Sequence, residues 1–232
     1  MRSYPQSQRG DMEPLNIFLS YSHKAKKLAG GLKAGLEEFG FGAFLAHEDI
    51  RPSARWRTEI RKALRECDIF IPLLTKAFSE SDWTDQETGF ALALGKAIIP
   101  VKIHHDENPH GFIDHIQALK WNKESSYASA WDVAACIGEN EKFTAVARDG
   151  AIQAFLAAND FKTEVPIAAR SLLGFRPFSA KQLHRIIDES SGRHAIYGCF
   201  AAQDSMQELI EDAEGKVSKH VIRRYRERVR KW

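Results

Sequence analysis

The chain has 232 residues, 44% of them hydrophobic and 28% charged, with a formal net charge of +2. That length suits one domain of about 130 residues plus a smaller one, and the composition is that of a globular protein. No apolar run approaches the ~20 residues needed to span a bilayer, and Met1–Glu13 lacks the apolar stretch of a secretory signal. Cys67, Cys136 and Cys199 are too far apart for a zinc site and too few for a disulfide framework. The expectation is a soluble cytoplasmic protein with reduced thiols, no metal, and residues 1–14 as a disordered leader.

The first strand is predicted at Asn16–Ser20. A helix over about 24–39 follows, with Leu28, Leu32, Gly35, Leu36 and Phe39 on one face and Gly40 as its C-cap. A second strand over 41–46 leads into the charged loop His47-Glu-Asp-Ile-Arg-Pro-Ser53, and a helix over about 54–66 is expected to bury Trp56, Ile60, Ala63 and Leu64. The third strand is Asp68–Leu74, and the next helix carries Trp83 and Glu87. The fourth strand, 97–103, contains Pro100, which puts part of it at a bulge or an edge. A loop and a short helix precede an edge strand over 118–122, and a helix over about 128–137 closes the unit. Strands alternating with helical patterns mark βαβ units. The prediction is an α/β fold, a five-stranded parallel sheet with helices on both faces, over residues 15–138.

After Gly138 the periodicity becomes helical, over 143–160, 165–173, 179–190 and 203–229, with Pro166, Pro177, Gly192 and Gly198 as interruptions. A small α-rich C-terminal domain of three to five helices is expected over 143–232. Its last 17 residues hold eight Lys or Arg against one acid, Glu227, about +7, which leaves about −5 on the rest. Val217, Val221, Tyr225 and Val229 form an apolar stripe on this basic segment. It therefore either docks on its own domain with a solvated cationic face or meets an anionic surface. No nucleic-acid module is recognisable, so nucleic acid is not expected as a partner, and neither is a membrane.

The most informative stretch is Glu80-Ser-Asp-Trp-Thr-Asp-Gln-Glu87. Trp83 and Glu87 lie one helical turn apart and point the same way. They follow a strand, where ligands bind an open parallel sheet. An aromatic plate beside a carboxylate suits a ligand with a flat ring and sugar hydroxyls. At the end of the first strand, Ser20, Tyr21, Ser22 and His23 stand near a helix start. They either meet an anion such as phosphate or form a Ser N-cap with Tyr21 partly buried. Ser22 and His23 are adjacent on a turn and no Gly-x-Ser-x-Gly elbow occurs, which argues against a hydrolase triad. Gly40-Phe-Gly42 precedes a strand and lacks the third glycine of a dinucleotide fingerprint. The cluster His104–His110 fits no standard metal-ligand spacing and reads as a solvated loop.

Five motifs in order resemble the bacterial form of the Toll/interleukin-1 receptor (TIR) domain. Ile17-Phe-Leu-Ser-Tyr-Ser22 is similar to its first box, and Gly40–Leu45 with His47–Pro52 to its second strand and BB loop. Cys67–Thr75 is similar to its third strand, Asp82–Glu87 to the Trp-x-x-x-Glu segment of TIR enzymes, and Gly95–Val101 to its fourth strand. The resemblance covers about 15–137 and says nothing of 143–232. It implies a flavodoxin-like sheet and an NAD+ glycohydrolase or cyclase that releases nicotinamide and ADP-ribose or a cyclic isomer, in bacterial antiphage signalling. It implies Glu87 as the catalytic residue and Trp83 as a wall near the ribose or base. Ser20, Tyr21, Ser22 and His23 would line the phosphate side, and Glu48 and Asp49 of the BB loop would close the pocket. NAD+ is then the substrate and no cofactor is required. The partners implied are other TIR domains, assembled through the BB loop, and a downstream effector reading the product. The alternative is a non-catalytic adaptor or effector acting by homotypic binding. A phospho-receiver domain shares the strand order, but its acidic pocket and acceptor Asp are replaced here by Phe-Leu-Ser-Tyr and Leu-Leu-Thr.

Overall fold

The computed structural model describes residues 14–45 and 56–231. Glu48, Asp49 and the predicted leader up to residue 13 lie outside the described residues. Strands β1 (Asn16–Ser20), β2 (Gly42–Leu45), β3 (Ile69–Leu74), β4 (Ala97–Ile98), β5 (Val101–Lys102) and β6 (Leu119–Lys120) form a parallel sheet. Its order is β2-β1-β3-β5-β6, with β4 also paired to β3.

β4 and β5 are two halves of the predicted fourth strand, which gives the five strands expected. Ile69 pairs with Ala97 and Leu73 with Val101, so the register is unchanged across Pro100. The expected bulge is not found, but the β4 half pairs with β3 alone and so lies at an edge, as expected for part of the strand. Pro100 sits inside the sheet, level with Pro72. It lacks an amide to extend the ladder, but Ile99 N donates to Phe70 O at 3.0 Å and Leu119 N to Pro100 O at 2.8 Å, which holds the strand on both sides.

Strand alternation divides the apolar residues between two faces. Ile17 and Leu19 of β1, with Ile69, Ile71 and Leu73 of β3, face one core, which α1 (Lys26–Glu38) supplies with Leu32 and Leu36. Phe18 and Phe70 face the other, smaller core, built with Ile60 and Leu64 of α2 (Trp56–Glu66). The short α3 (Lys76–Ser79) and then α4 (Asp82–Ala93) follow β3, and α4 adds Ala91 to the smaller core. α5 (Ser126–Glu139) packs beside α1 on the larger one through Ala130 and Trp131. Trp56 differs from expectation. Ile60 and Leu64 are buried, but Trp56, the first residue of α2, is 39% exposed and packs against Trp83 rather than into the core.

The C-terminal region is helical throughout. It comprises α6 (Thr144–Ala157), α7 (Glu164–Leu172), α8 (Ala180–Ser190), the short α9 (His194–Tyr197), α10 (Phe200–Ala213) and α11 (Lys219–Arg230). The single helix predicted over 203–229 is two. Gly215 adopts φ +77°, and the amides of Lys216 and Val217 both donate to Ala213 O; that left-handed turn favours glycine. α11 then docks through Val221, Ile222 and Tyr225, all buried. The three cysteines are free thiols. Among the described residues no helix is long and apolar enough to cross a membrane.

The apolar core is continuous from Leu15 to Tyr225, so the helices share it with the larger sheet face. Trp131 of α5 meets Phe39 edge-on at 4.8 Å and Phe175 at 6.0 Å, and Gln153 Nε2 donates to Glu38 O at 3.2 Å. α6 approaches closely enough that a Cβ on Gly150 would lie 2.7 Å from Phe39 O. Gly150→Ala is therefore expected to destabilise the fold by about 1–3 kcal/mol in denaturant unfolding. Gly30→Ala, in a helix position with nothing within 4 Å, is expected to stabilise it by up to about 1 kcal/mol.

Candidate active site

The site lies where β1 and β3 end. Ser20 is two residues beyond Phe18, so alternation turns it toward the α2/α4 side, and it is fully buried. Tyr21 turns the other way, into the core with Ile17 and Leu19, and is buried rather than partly exposed. Ser22 lies across the strand ends from Thr75, with 3.1 Å between their hydroxyls. Its side chain does not cap the short 3-10 turn His23–Ala25 that follows, and His23 is exposed.

α4 starts at the N-cap Ser81, whose hydroxyl accepts from Thr84 N. Its buried residues are Thr84, Glu87, Thr88 and Ala91, one helical stripe facing the sheet. Three of the four are polar, and the buried carboxylate among them is unusual for a core helix. Both threonine hydroxyls are satisfied locally, Thr84 Oγ1 at 2.7 Å from Phe78 O and Thr88 Oγ1 at 2.8 Å from Thr84 O. Glu87 reaches instead across the sheet edge. Ser20 Oγ donates to its Oε2 at 2.5 Å, and Trp83 Nε1 donates to its Oε1 at 2.7 Å.

Glu87 is 2% exposed. Burial pushes its carboxyl up from the ordinary 4.5 to about 7, against the opposing pull of the Ser20 and Trp83 hydrogen bonds. The group therefore changes charge near neutrality, as a perturbed functional carboxylate does. Trp83 is half-buried and its ring packs at a tilt against Trp56, with centroids 4.7 Å apart and planes at 49°. Arg57 lies over the far ring at 5.4 Å.

Of the residues singled out from the sequence, Ser20, Trp83 and Glu87 come together, and Ser22 lies at the same sheet edge. Tyr21 and His23 point elsewhere, and Glu48 and Asp49 lie outside the described residues. Thr75 and Trp56 were not foreseen. Thr75 is the first residue after β3, at the level of Ser22, and Trp56 extends the Ile60/Leu64 stripe by one turn; both signals are positional. The loop after β5 is tied to the neighbouring helices. Glu107 accepts from Lys76 N at 2.7 Å, and the His110 ring lies 2.9 Å from the Asp85 carboxylate.

A sequence model of the TIR domain matches residues 17–134. The chain belongs to the TIR-domain family. The TIR span thus holds every described residue of the site, and α6 to α11 lie beyond it. Solved structures similar to the chain include the TIR domain of the Toll-related receptor TRR-2 from Hydra magnipapillata. It has 18% identity and a TM-score of 0.43, over 56% of this chain and 96% of that one. The CMP N-glycosidase BcmB of Clostridium botulinum has 26% identity and a TM-score of 0.37, over 50% of this chain and 98% of that one. The TIR domains of the activated Roq1 resistosome recognising the pathogen effector XopQ have 17% identity and a TM-score of 0.38, over 68% and 95%. No curated protein matches the chain.

Proposed function

We propose that this TIR-domain protein cleaves the nicotinamide–ribose bond of NAD+, with Glu87 as the catalytic carboxylate. The observation that carries the proposal is Glu87 itself. It is an acid buried to 2% at the C-terminal ends of β1 and β3, held by Ser20 and Trp83 and ionising near neutrality.

Nicotinamide leaves with the electron pair of the C1′–N bond and becomes neutral, so its departure needs no proton donor. The positive charge moves to the ribose as an oxocarbenium ion. An ionised Glu87 facing that charge stabilises it more than the ground state. Water then adds at C1′ and loses a proton, giving ADP-ribose. An adenine nitrogen adding instead would give a cyclic isomer. The cationic nicotinamide ring itself favours the ionised form of a carboxyl poised near 7. Glu87 is 2% exposed with a protein donor on each oxygen, so a ribose hydroxyl reaches it by taking the place of one of them. The Trp83–Trp56 pair supplies an apolar wall, and the hydroxyls of Ser22 and Thr75 a polar margin. NAD+ enters as substrate and no bound cofactor takes part. Glu48 and Asp49 would close the pocket and join neighbouring TIR domains, as the TIR resemblance implies. Cytoplasmic immune signalling against phage, with an effector reading the product, is the setting that fits this chemistry.

A second function, a non-catalytic TIR module acting by homotypic binding, is favoured by one observation. A carboxylate at 2% exposure with both oxygens bonded also suits a structural strut. Incubating concentrated protein with NAD+ and resolving nicotinamide and the ADP-ribose species by chromatography separates the two. Turnover that disappears in a folded Glu87→Gln variant establishes the enzyme. Turnover retained in that variant removes Glu87 from catalysis. No turnover by the wild type, even when crowded into assemblies, favours the binding module.

A further inference from the structure

α11 has two unlike sides. Val221, Ile222 and Tyr225 are buried, and between them Arg224 is bonded to Asp188 and Ser191 of the adjoining helix end. The outward side carries Lys219, Arg223, Arg226 and Arg230, at spacings of four, three and four. Those spacings place the four cations along one helix face, in a stripe about 16 Å long at 1.5 Å per residue. A cavity of about 830 Å³ runs along the stripe. All four side chains line it together with His220 and the acids Glu214 and Glu227, and Gly215, Val217 and Ile222 add small and apolar surface.

These cations are weakly engaged. Arg223 meets Glu227 and Arg226 meets Glu214, each at 3.6 Å and each with well-exposed partners; such surface pairs are worth about 1 kcal/mol or less. The side chains of Lys219 and Arg230 have no ion-pair or hydrogen-bond partner among the described residues, and neither do those of Lys216, Arg228 and Lys231 nearby. The stripe therefore contributes little to the fold.

We infer that the outer face of α11 and its trough bind the phosphate backbone of a nucleic acid, without sequence preference. Three features select this partner. The stripe is linear and about 16 Å long, comparable with roughly five base-pair steps of a duplex axis at 3.4 Å each. Three of its four cations are arginines, whose forked donors grip phosphate oxygens in pairs. The rest of the chain carries about −5, so a polyanion is repelled elsewhere and directed to α11. A lipid surface fits less well, because α11 has used its apolar side on the protein and keeps none to insert between lipids. From the sequence, nucleic-acid binding rests on the charge of the tail alone and is not expected, since the charge is visible but its arrangement along a trough is not. The inference is independent of the NAD+ chemistry at Glu87.

The test uses the full chain with fluorescein-labelled mixed-sequence oligonucleotides, single-stranded and duplex, in anisotropy titrations at several salt concentrations. Micromolar binding is expected, weakening with salt at a log–log slope of about −2 to −4 for three or four neutralised phosphates. Lys219→Ala/Arg230→Ala should cut the affinity at least about tenfold and flatten the slope by about 1.4–1.8. Both residues are exposed and unpaired, so the variant keeps its fold. Arg223→Ala is a second check and should flatten the slope by about 0.7–0.9. No binding at low salt, or binding that the double variant leaves unchanged, overturns the inference. Equal binding to polyglutamate of matched charge would show an acidic-protein surface, and binding only to phosphatidylserine vesicles a membrane contact. Either result overturns it too.

Discussion

Glu87→Gln is expected to lose at least about 10²-fold in NAD+ cleavage while melting at a higher temperature than the wild type at pH 8. The folded protein raises the Glu87 carboxyl from 4.5 to about 7, so it binds a proton there that the unfolded chain has already lost. Below pH 4.5 the carboxyl is neutral in both states and has no effect. Between 4.5 and about 7 stability falls as pH rises, and above 7 the folded state carries a buried charge costing on the order of 3 kcal/mol. Glutamine keeps the shape without the charge, and its carbonyl still accepts from one donor. The gain at pH 8 should therefore be about 1–3 kcal/mol, vanishing near pH 4. Glu38 contributes a slope of the same sign, since burial and the nearby Glu164 push it to about 7 as well. The variant should thus flatten the pH dependence of stability without abolishing it. Thermal melts of the two proteins across pH 4–8 measure this. A strut behaves in the opposite way, because losing charge-assisted hydrogen bonds would lower the melting temperature at pH 8.

The sheet was legible because its strands are short apolar runs set between helical patterns, and α4 because Trp83 and Glu87 stand one turn apart at its start. The Ser20–Glu87 contact was legible in principle from strand alternation, which puts residues 18 and 20 on one side and 19 and 21 on the other. Treating Ser20 to His23 as one cluster overlooked it. Adjacent strand residues diverge, so Tyr21 joins the opposite core and His23 reaches solvent. Trp56 shows a different limit. Periodicity ranks a residue on a helix face but does not say how far along the helix the core extends. Pro100 shows a third. Proline weakens a ladder locally, yet the amides of Ile99 and Leu119 keep it inside the sheet. At Gly215 the apolar stripe runs on through Val217 and Val221, and the sign of one φ angle, which periodicity does not see, divides the helix.

Ser20→Ala and Trp83→Phe are each expected to raise the Glu87 ionisation above 7, by about one unit or more. Both side chains donate to the carboxylate and hold its ionisation down against burial. A hydrogen bond to a charged group is worth about 1.5–3 kcal/mol, and 1.36 kcal/mol is one unit. The acidic limb of kcat/KM for NAD+ should move up with it, lowering turnover at pH 7 more than at pH 9. Trp83→Phe keeps an aromatic ring against Trp56 and removes only the N–H. A purely packing role for Trp83 would leave the limb in place. The carboxyl can also be titrated directly by infrared difference spectroscopy against Glu87→Gln, a measurement that needs no substrate and survives a wrong choice of reaction. The double variant carries the sharper information. Ser20 bonds Oε2 and Trp83 bonds Oε1, so the two shifts should add. A double variant no further shifted than either single one would mean that losing one donor already lets the carboxylate swing away from the other. Glu87 would then be held as a two-point clamp, and substrate could free it by displacing a single partner.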